Sequence, residues 1–376
     1  MNIKILVIED SDDVADRLKS AIETKLKHIG HEAEVVLCND FDAAPKQLRR
    51  LRPHAVTLDL KKDPLDDHAA KPAWEVVRSE HFCPVLFYSA VPLPPDVLEG
   101  ELPFAKYLRK AADDTGDESA AAELLGGFVP HIEGLQTLWN DVEGRYAESV
   151  AQVSQLIWDS EPEANRAQTL IRVTRRRLAA MLERPLGEDP NIKAWEQFIY
   201  PPTDKDHLCT GDVVFQRGED RTQAINFRII LTPPCDLVPG QNAVDSVLIG
   251  KCIPANSAEV RRRGKVTPQG NLSTREKDKL CDGLVKDEIQ GLKLIPKLGD
   301  LWPTMVLDFK SLELVPRTAI ALSSEEANTE SKFERIASMD SPFREALSWR
   351  FMQTAGRPGT PDADRLALET EIRAAT

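Results

Sequence analysis

Residues 2–10 read Asn-Ile-Lys-Ile-Leu-Val-Ile-Glu-Asp, an apolar, β-rich run that stops on two carboxylates. A short continuous apolar run of this kind fits a strand buried on both faces. Val14, Leu18, Ala21, Ile22 and Leu26 then recur at helical spacing. Four further runs follow: Ala33-Glu34-Val35-Val36-Leu37, Ala55-Val56-Thr57-Leu58, Val85-Leu86-Phe87-Tyr88 and Phe104-Ala105-Lys106-Tyr107-Leu108. Strands alternating with helices predict an α/β fold, here a doubly wound five-stranded parallel sheet. Such sheets carry their working residues just beyond the C-terminal ends of the strands.

Glu9 and Asp10 close the first strand, Asp59 the third and Ser89 the fourth, and Lys110 follows the fifth. The topology would bring these five side chains to one edge. Three carboxylates forced together repel and need a compensating cation. A donor set of hard oxygens suits Mg²⁺, which keeps several waters and takes one or two carboxylates plus phosphate oxygens. A lysine and a hydroxyl on the opposite side are suited to holding the remaining phosphoryl oxygens. The expected chemistry is acceptance of a phosphoryl group by a carboxylate.

Residues 1–128 resemble a receiver domain of two-component response regulators. The resemblance is carried, in order, by Ile5-Leu6-Val7-Ile8-Glu9-Asp10, Val56-Thr57-Leu58-Asp59-Leu60, Pro84-Val85-Leu86-Phe87-Tyr88-Ser89-Ala90 and Tyr107-Leu108-Arg109-Lys110. It implies a flavodoxin-like fold, Asp59 as phospho-acceptor and a partner histidine kinase as phosphoryl donor. It also implies Mg²⁺ held by Glu9, Asp10, Asp59 and a backbone carbonyl near Lys61, with Lys110 and Ser89 on the phosphoryl oxygens. The chain departs from the family in three places. Lys61 to Pro72 forms a loop about six residues longer than the family's; Pro92, Pro94, Pro95 and Pro103 stand where a long fourth helix is usual; and Ala111 replaces the proline after the lysine. A receiver retained only as a binding platform is the competing expectation.

Beyond the receiver, Leu135, Trp139, Val142, Tyr146, Val150, Val153 and Ile157 recur at an average spacing near 3.5 residues, and Asp159-Ser160-Glu161-Pro162 interrupts them. Two helices are predicted across residues 129–190, either a hairpin packed on its own chain or a coiled coil that makes a homodimer. Residues 191–322 alternate short strands with Gly and Pro, which predicts a β-rich α+β output module, a small barrel or sandwich with a helix inserted at Thr274 to Leu292. The strands are expected at Asp212–Phe215, Phe227–Thr232, Val244–Ile249 and Met305–Phe309. Ser323-Ser324-Glu325-Glu326 resembles a helix cap, so residues 323–376 are expected to be a helical tail.

The 376 residues carry 48 Lys and Arg against 61 Asp and Glu, net −13, of which −8 falls in the first 130 residues. This argues against a chain-wide nucleic-acid surface. Arg172 to Arg177 and Arg261 to Lys265 are the strong basic clusters, read as solvated faces with nucleic-acid contact as the alternative. The six cysteines include no C-x-x-C pair, which makes a zinc ribbon or redox dithiol unexpected. Cys235, in Thr232-Pro233-Pro234-Cys235-Asp236-Leu237, reads as a buried cysteine in a tight turn, with a Cys235–His207 nucleophile as the enzymatic alternative. No helix-turn-helix, P-loop or mid-helix phosphotransfer histidine is evident. No apolar run approaches a membrane span, and the N-terminus lacks a signal peptide's layout, so a cytoplasmic location is expected. As a whole, the chain is similar to the stand-alone regulators of antiphage two-component systems such as Detocs, which implies a regulator drawing phosphoryl groups away from a toxic effector.

Overall fold

The computed structural model describes residues 1–60, 70–92, 104–110, 117–182, 192–238, 244–267, 270–356 and 365–375. The chain forms two compact units, Met1–Leu186 and Gly187–Thr376.

In the first unit, β1 (Asn2–Ile8), α1 (Asp12–His28), β2 (Glu32–Cys38), α2 (Ala44–Leu51), β3 (Ala55–Leu58), α3 (Lys71–Ser79), β4 (Val85–Ser89), β5 (Ala105–Arg109) and α4 (Asp117–Gly126) follow one another. The sheet is parallel throughout, in the order β2-β1-β3-β4-β5. This is the doubly wound, flavodoxin-like arrangement expected from the apolar runs. Alternation along β1 divides the core: Ile3, Ile5 and Val7 face the layer of α1 and α4, whereas Leu6 and Ile8 face that of α2 and α3. Strand order reverses between β1 and β3, so a crevice opens at their C-terminal ends. Pro94, Pro95 and Pro103, residues 61–69 of the long loop, and Ala111 lie outside the described residues; Pro92 is described, and Lys71 and Pro72, expected at the end of that loop, open α3 instead.

The next helices are α5 (Val129–Ser160) and α6 (Glu163–Leu182), broken where the Asp-Ser-Glu-Pro signal falls. The start of α5 is part of the first unit's core, because Phe128, Val129 and Ile132 pack with Leu18, Ile22 and Leu125. Arg52, at the end of α2, stacks on the Trp139 ring at 5.0 Å.

The second unit contains β6 (Phe198–Ile199), β7 (Asp212–Gln216), β8 (Phe227–Ile230), α7 (Pro234–Leu237), β9 (Ser246–Pro254), α8 (Ala258–Arg263) and α9 (Thr274–Val285). These lead to β10 (Leu292–Ile295), β11 (Met305–Pro316), β12 (Ile320–Ala321), β13 (Phe333–Met339), α10 (Phe343–Ala355) and α11 (Arg365–Ala375). Its eight described strands form one sheet, β10-β11-β9-β8-β7-β13-β12 with β6 on β13, which among the described residues neither closes into a barrel nor splits into a two-sheet sandwich. Phe215, Phe227, Trp302 and Met305 pack one face, and Val214, Ile230, Ile249 and Phe333 the other.

Two expectations are corrected here. The inserted helix stops at Val285, and Leu292, expected at its end, opens β10. Residues 323–376 are not a helical tail throughout, since β13 lies inside the sheet between β7 and β12. Ser323 does accept a hydrogen bond from the Glu326 N–H, as a cap would, but a turn follows it instead of a helix. Two charged residues, Glu334 and Arg335, masked the strand by composition.

Candidate functional site

The last paired residues of the central strands are Ile8 with Leu58 and Ser89 with Arg109. Glu9, Asp59 and Lys110 are therefore the first residues past the sheet's edge. Each is fixed by its backbone: Glu9 N–H donates to Cys38, Asp59 N–H to Ile8 and Lys110 N–H to Ser89, at 3.0–3.1 Å. Ser11 caps α1, its hydroxyl accepting from the Val14 N–H, so Glu9 and Asp10 occupy the short turn between β1 and α1.

Glu9, Asp10 and Asp59 each place a carboxylate oxygen within 4.8 Å of the others. Glu9 and Asp59 are buried; Asp10 is exposed. The Lys110 ammonium bridges the two buried acids, 2.6 Å from Glu9 Oε2 and 3.0 Å from Asp59 Oδ2. Burial opposes the charge on Lys110, but the hydrogen bond to Glu9 and the charges of Asp59 and Glu9 outweigh it and hold the ammonium above the ordinary lysine range. Glu9 is pushed up to about 7, first by burial and then by the neighbouring Asp59 charge, against the pull of Lys110. Among the described residues, one ammonium thus serves a cluster of three acids. The other Asp59 oxygen accepts the Leu60 N–H at 2.8 Å, which orients the carboxylate.

Ser89 is fully buried at the end of β4, and its Oγ accepts from the Val91 N–H at 3.2 Å. Lys61 lies outside the described residues. Two aromatic residues of the site were not singled out from the sequence. The Tyr88 ring lies 5.3 Å from the Lys110 ammonium, and the Tyr107 hydroxyl donates to the Val91 carbonyl at 3.0 Å. Their signal was positional: each stands one or two residues before the end of its strand.

The remaining candidates are placed as follows. Cys235 is exposed, which corrects the expectation of a buried cysteine; α7 begins at Pro234 and turns the thiol outward, 3.5 Å from its neighbour Asp236. The His207 ring meets Asp204 at 3.3 Å. Asp204, Asp206 and His207 form a second group of metal-type donors, but Asp204 Oδ1 already accepts the N–H groups of Asp206 and His207. Cys252 is buried in the core of the second unit. Arg263 is committed to Asp308 and Glu259, Arg262 to Glu259 and Arg261 to the Gly270 carbonyl. On α6, Arg172, Arg175 and Arg176 are exposed. None of the described helices is long and apolar enough to cross a membrane.

No protein-family model and no curated protein matches the chain. Among solved structures it is similar to the Mn²⁺-bound form of response regulator Rcp1, at 20% identity over 34% of this chain and 91% of that one, with a TM-score of 0.26. The N-terminal domain of a response regulator receiver protein from Methanoculleus marisnigri JR1 gives 21% identity over 34% and 96%, TM-score 0.23. The Vibrio cholerae chemotaxis protein CheY4 gives 18% over 33% and 98%, TM-score 0.25. These likenesses span the N-terminal third of the chain.

Proposed function

We propose that the first unit accepts a phosphoryl group on Asp59 from a partner histidine kinase, and that the chain acts as a response regulator whose second unit carries the output. The reading rests chiefly on one observation: a single ammonium, Lys110, bridges two buried carboxylates while a third, on Asp10, approaches them from solvent. A buried lysine–carboxylate pair serving only stability would leave no acid in excess.

The donor set fits a divalent cation, and Asp10, Asp59 and Glu9 would hold it through hard oxygens. When bound, Mg²⁺ supplies the positive charge that the equatorial phosphoryl oxygens require. The protein's own residues supply the rest. An Asp59 oxygen forms the bond to phosphorus as the bond to the donor's histidine nitrogen breaks. The Leu60 N–H holds the acceptor carboxylate in place, and the Lys110 ammonium neutralises charge on the transferring oxygens. Ser89, at the same edge, offers its hydroxyl proton to the bound group.

The test is incubation with acetyl phosphate and Mg²⁺ followed by intact-mass measurement. Wild type should gain one phosphoryl group and Asp59→Asn none. Absence of an adduct on wild type would leave the receiver as a binding platform. The whole-chain resemblance supports placing the regulator in an antiphage two-component system, where it would compete with an effector for the kinase's phosphoryl groups. Transfer from one kinase to both proteins is the measurement for that placement.

A further inference from the structure

The sheet of the second unit carries two like charges side by side. In the register of β8 and β9, Arg228 stands directly opposite Lys251, a pairing that repels unless an acid offsets it. Asp308 of β11 lies opposite Lys251 on the other side, but both of its carboxylate oxygens are taken by Arg263, at 2.7 and 3.2 Å. The register shifts after Asp308 and sets Glu313 opposite Ile249, two residues from Lys251 and on the same face of the sheet. Lys332, immediately before β13, reaches the same point.

Three cations therefore converge on one carboxylate. Glu313 Oε2 is 3.8 Å from Arg228 Nε and 3.8 Å from the Lys251 ammonium, and Oε1 is 3.6 Å from the Lys332 ammonium. These distances exceed a hydrogen bond, so the carboxylate offers each cation charge without accepting a proton contact from it. The floor of the cluster is rigid. Arg228 is nine-tenths buried, and its Nη1 donates to the carbonyls of Ile225 and Phe227 at 2.6 and 2.8 Å. The buried Phe333 ring lies 5.8 Å from its guanidinium and 5.3 Å from the Lys332 ammonium. The Arg228 Nε–H, aimed at Glu313, has no hydrogen-bond partner among the described residues. A buried donor left in this way calls for an acceptor. Lys251 and Lys332 stand at the rim, with side chains 42% and 54% exposed.

Among the described residues, three positive charges against one negative leave an excess of two at a single point. The donors come from three separate segments and close on one position, which suits a compact tetrahedral dianion. A phosphomonoester carries about −1.5 to −2 charge near neutral pH and three acceptor oxygens, one for each donor. A nucleic-acid backbone spreads its charges along a track and would need a row of cations, and the chain's net charge of −13 opposes a polyanion. Glu313 competes for the same donors. Its side chain is 27% exposed, which leaves it room to turn outward as a phosphate enters.

We propose that Arg228, Lys251 and Lys332 form a binding site for a phosphate group, free or at the end of a small phosphomonoester, which displaces Glu313. The inference goes beyond phosphoryl acceptance by Asp59 and does not rest on it. The test is calorimetric titration of the full chain with inorganic phosphate and, separately, with adenosine 5′-monophosphate, in EDTA and at constant ionic strength. Without a divalent ion, the acidic edge of the first unit repels both probes. Wild type should bind with a Kd of about 0.1–1 mM. Lys251→Gln with Lys332→Gln should weaken binding by at least about tenfold, and both sites are exposed enough for the fold to tolerate the change, which circular dichroism checks. Glu313→Gln should tighten binding several-fold, a gain that loss of a merely structural ion pair would not produce. Tighter binding of the nucleotide than of phosphate makes a monoester the source, and equal affinity makes it the phosphate group alone. A wild type that binds neither probe more tightly than the double variant overturns the proposal. So does a Glu313→Gln variant that gains nothing, or an oligonucleotide without terminal phosphates that outcompetes both probes.

Discussion

Each unit buries a carboxylate beside a cation, and the two arrangements are opposite in kind. In the second unit, every oxygen of Asp212 is matched: Oδ1 accepts the Ser338 hydroxyl, Oδ2 accepts the Cys209 N–H, and the Arg335 guanidinium stands 3.6 Å away. Arg335 is equally committed, donating to the carbonyls of Leu322, His207 and Asp204. In the first unit, by contrast, one ammonium is divided between Glu9 and Asp59 while Asp10 approaches with no cation of its own among the described residues. A satisfied cluster holds segments together; an under-neutralised one at a sheet edge is arranged to receive something. The difference lies in donor count, not in burial.

The largest effect that would sharpen this contrast is on stability. Arg335→Met removes the donors of three carbonyls and leaves Asp212 buried without its cation. We expect the second unit to lose about 3–5 kcal/mol in urea unfolding followed by Trp302 fluorescence. No added ion should restore it, and a loss below about 1 kcal/mol would place Arg335 among ordinary surface contacts.

Lys110→Met should behave differently. Its removal leaves two buried carboxylates that a divalent ion is able to neutralise, so saturating Mg²⁺ should recover most of any lost melting temperature. Phosphorylation of Asp59 should still fall by about 10²-fold, the usual cost of removing a preorganised charge from a transition state. An unchanged rate of adduct formation would break the distinction between a cluster that binds and one that holds.

The same distinction explains what was legible in the sequence. Ile3 to Ile8, Ala55 to Leu58 and Val85 to Tyr88 are apolar because both of their faces are covered, and carboxylates or a hydroxyl interrupt them where the sheet meets solvent. Fold and candidate site were therefore written in one pattern. β13 defeated that reading because Glu334 and Arg335 look like surface residues, although both are buried. Glu334 is held by Arg221 and Ser324, and Arg335 by the partners named above. Those partners come from distant segments, so local pattern carries no trace of them. The Ser323 turn misled in the reverse sense, since its local cap hydrogen bond forms without a helix behind it.

Asp212 also gives the second unit a signature in acid. Burial pushes its carboxyl up to about 6, with the Cys209 N–H, Ser338 and Arg335 pulling the other way. A carboxyl whose pKa is higher in the fold than in the unfolded chain binds its proton more tightly in the fold. This contribution therefore stabilises the fold at low pH and is lost as pH rises from the ordinary aspartate value of about 4 to about 6. Urea melts across that window should show Asp212→Asn removing on the order of 2 kcal/mol of this pH-dependent change relative to wild type. A difference that instead grows above pH 6 would mean that the guanidinium governs the carboxylate after all.

The smallest effect concerns the exposed acid of the first cluster. Asp10 has water on one side, so Asp10→Asn should leave folding within about 0.5 kcal/mol of wild type, as exposed substitutions generally do. Its value lies in the charge it directs at Glu9 and Asp59. A unit charge about 4 Å from a cation near a protein surface is worth a few kcal/mol before solvent and rearrangement reduce it. Mn²⁺ titration by calorimetry should therefore show affinity falling by at least about tenfold, with the acetyl phosphate reaction needing correspondingly more Mg²⁺. Were affinity unchanged while stability fell, Asp10 would belong with Asp212 as a residue that holds the fold, and the first cluster would lose the excess of negative charge on which the proposed function rests.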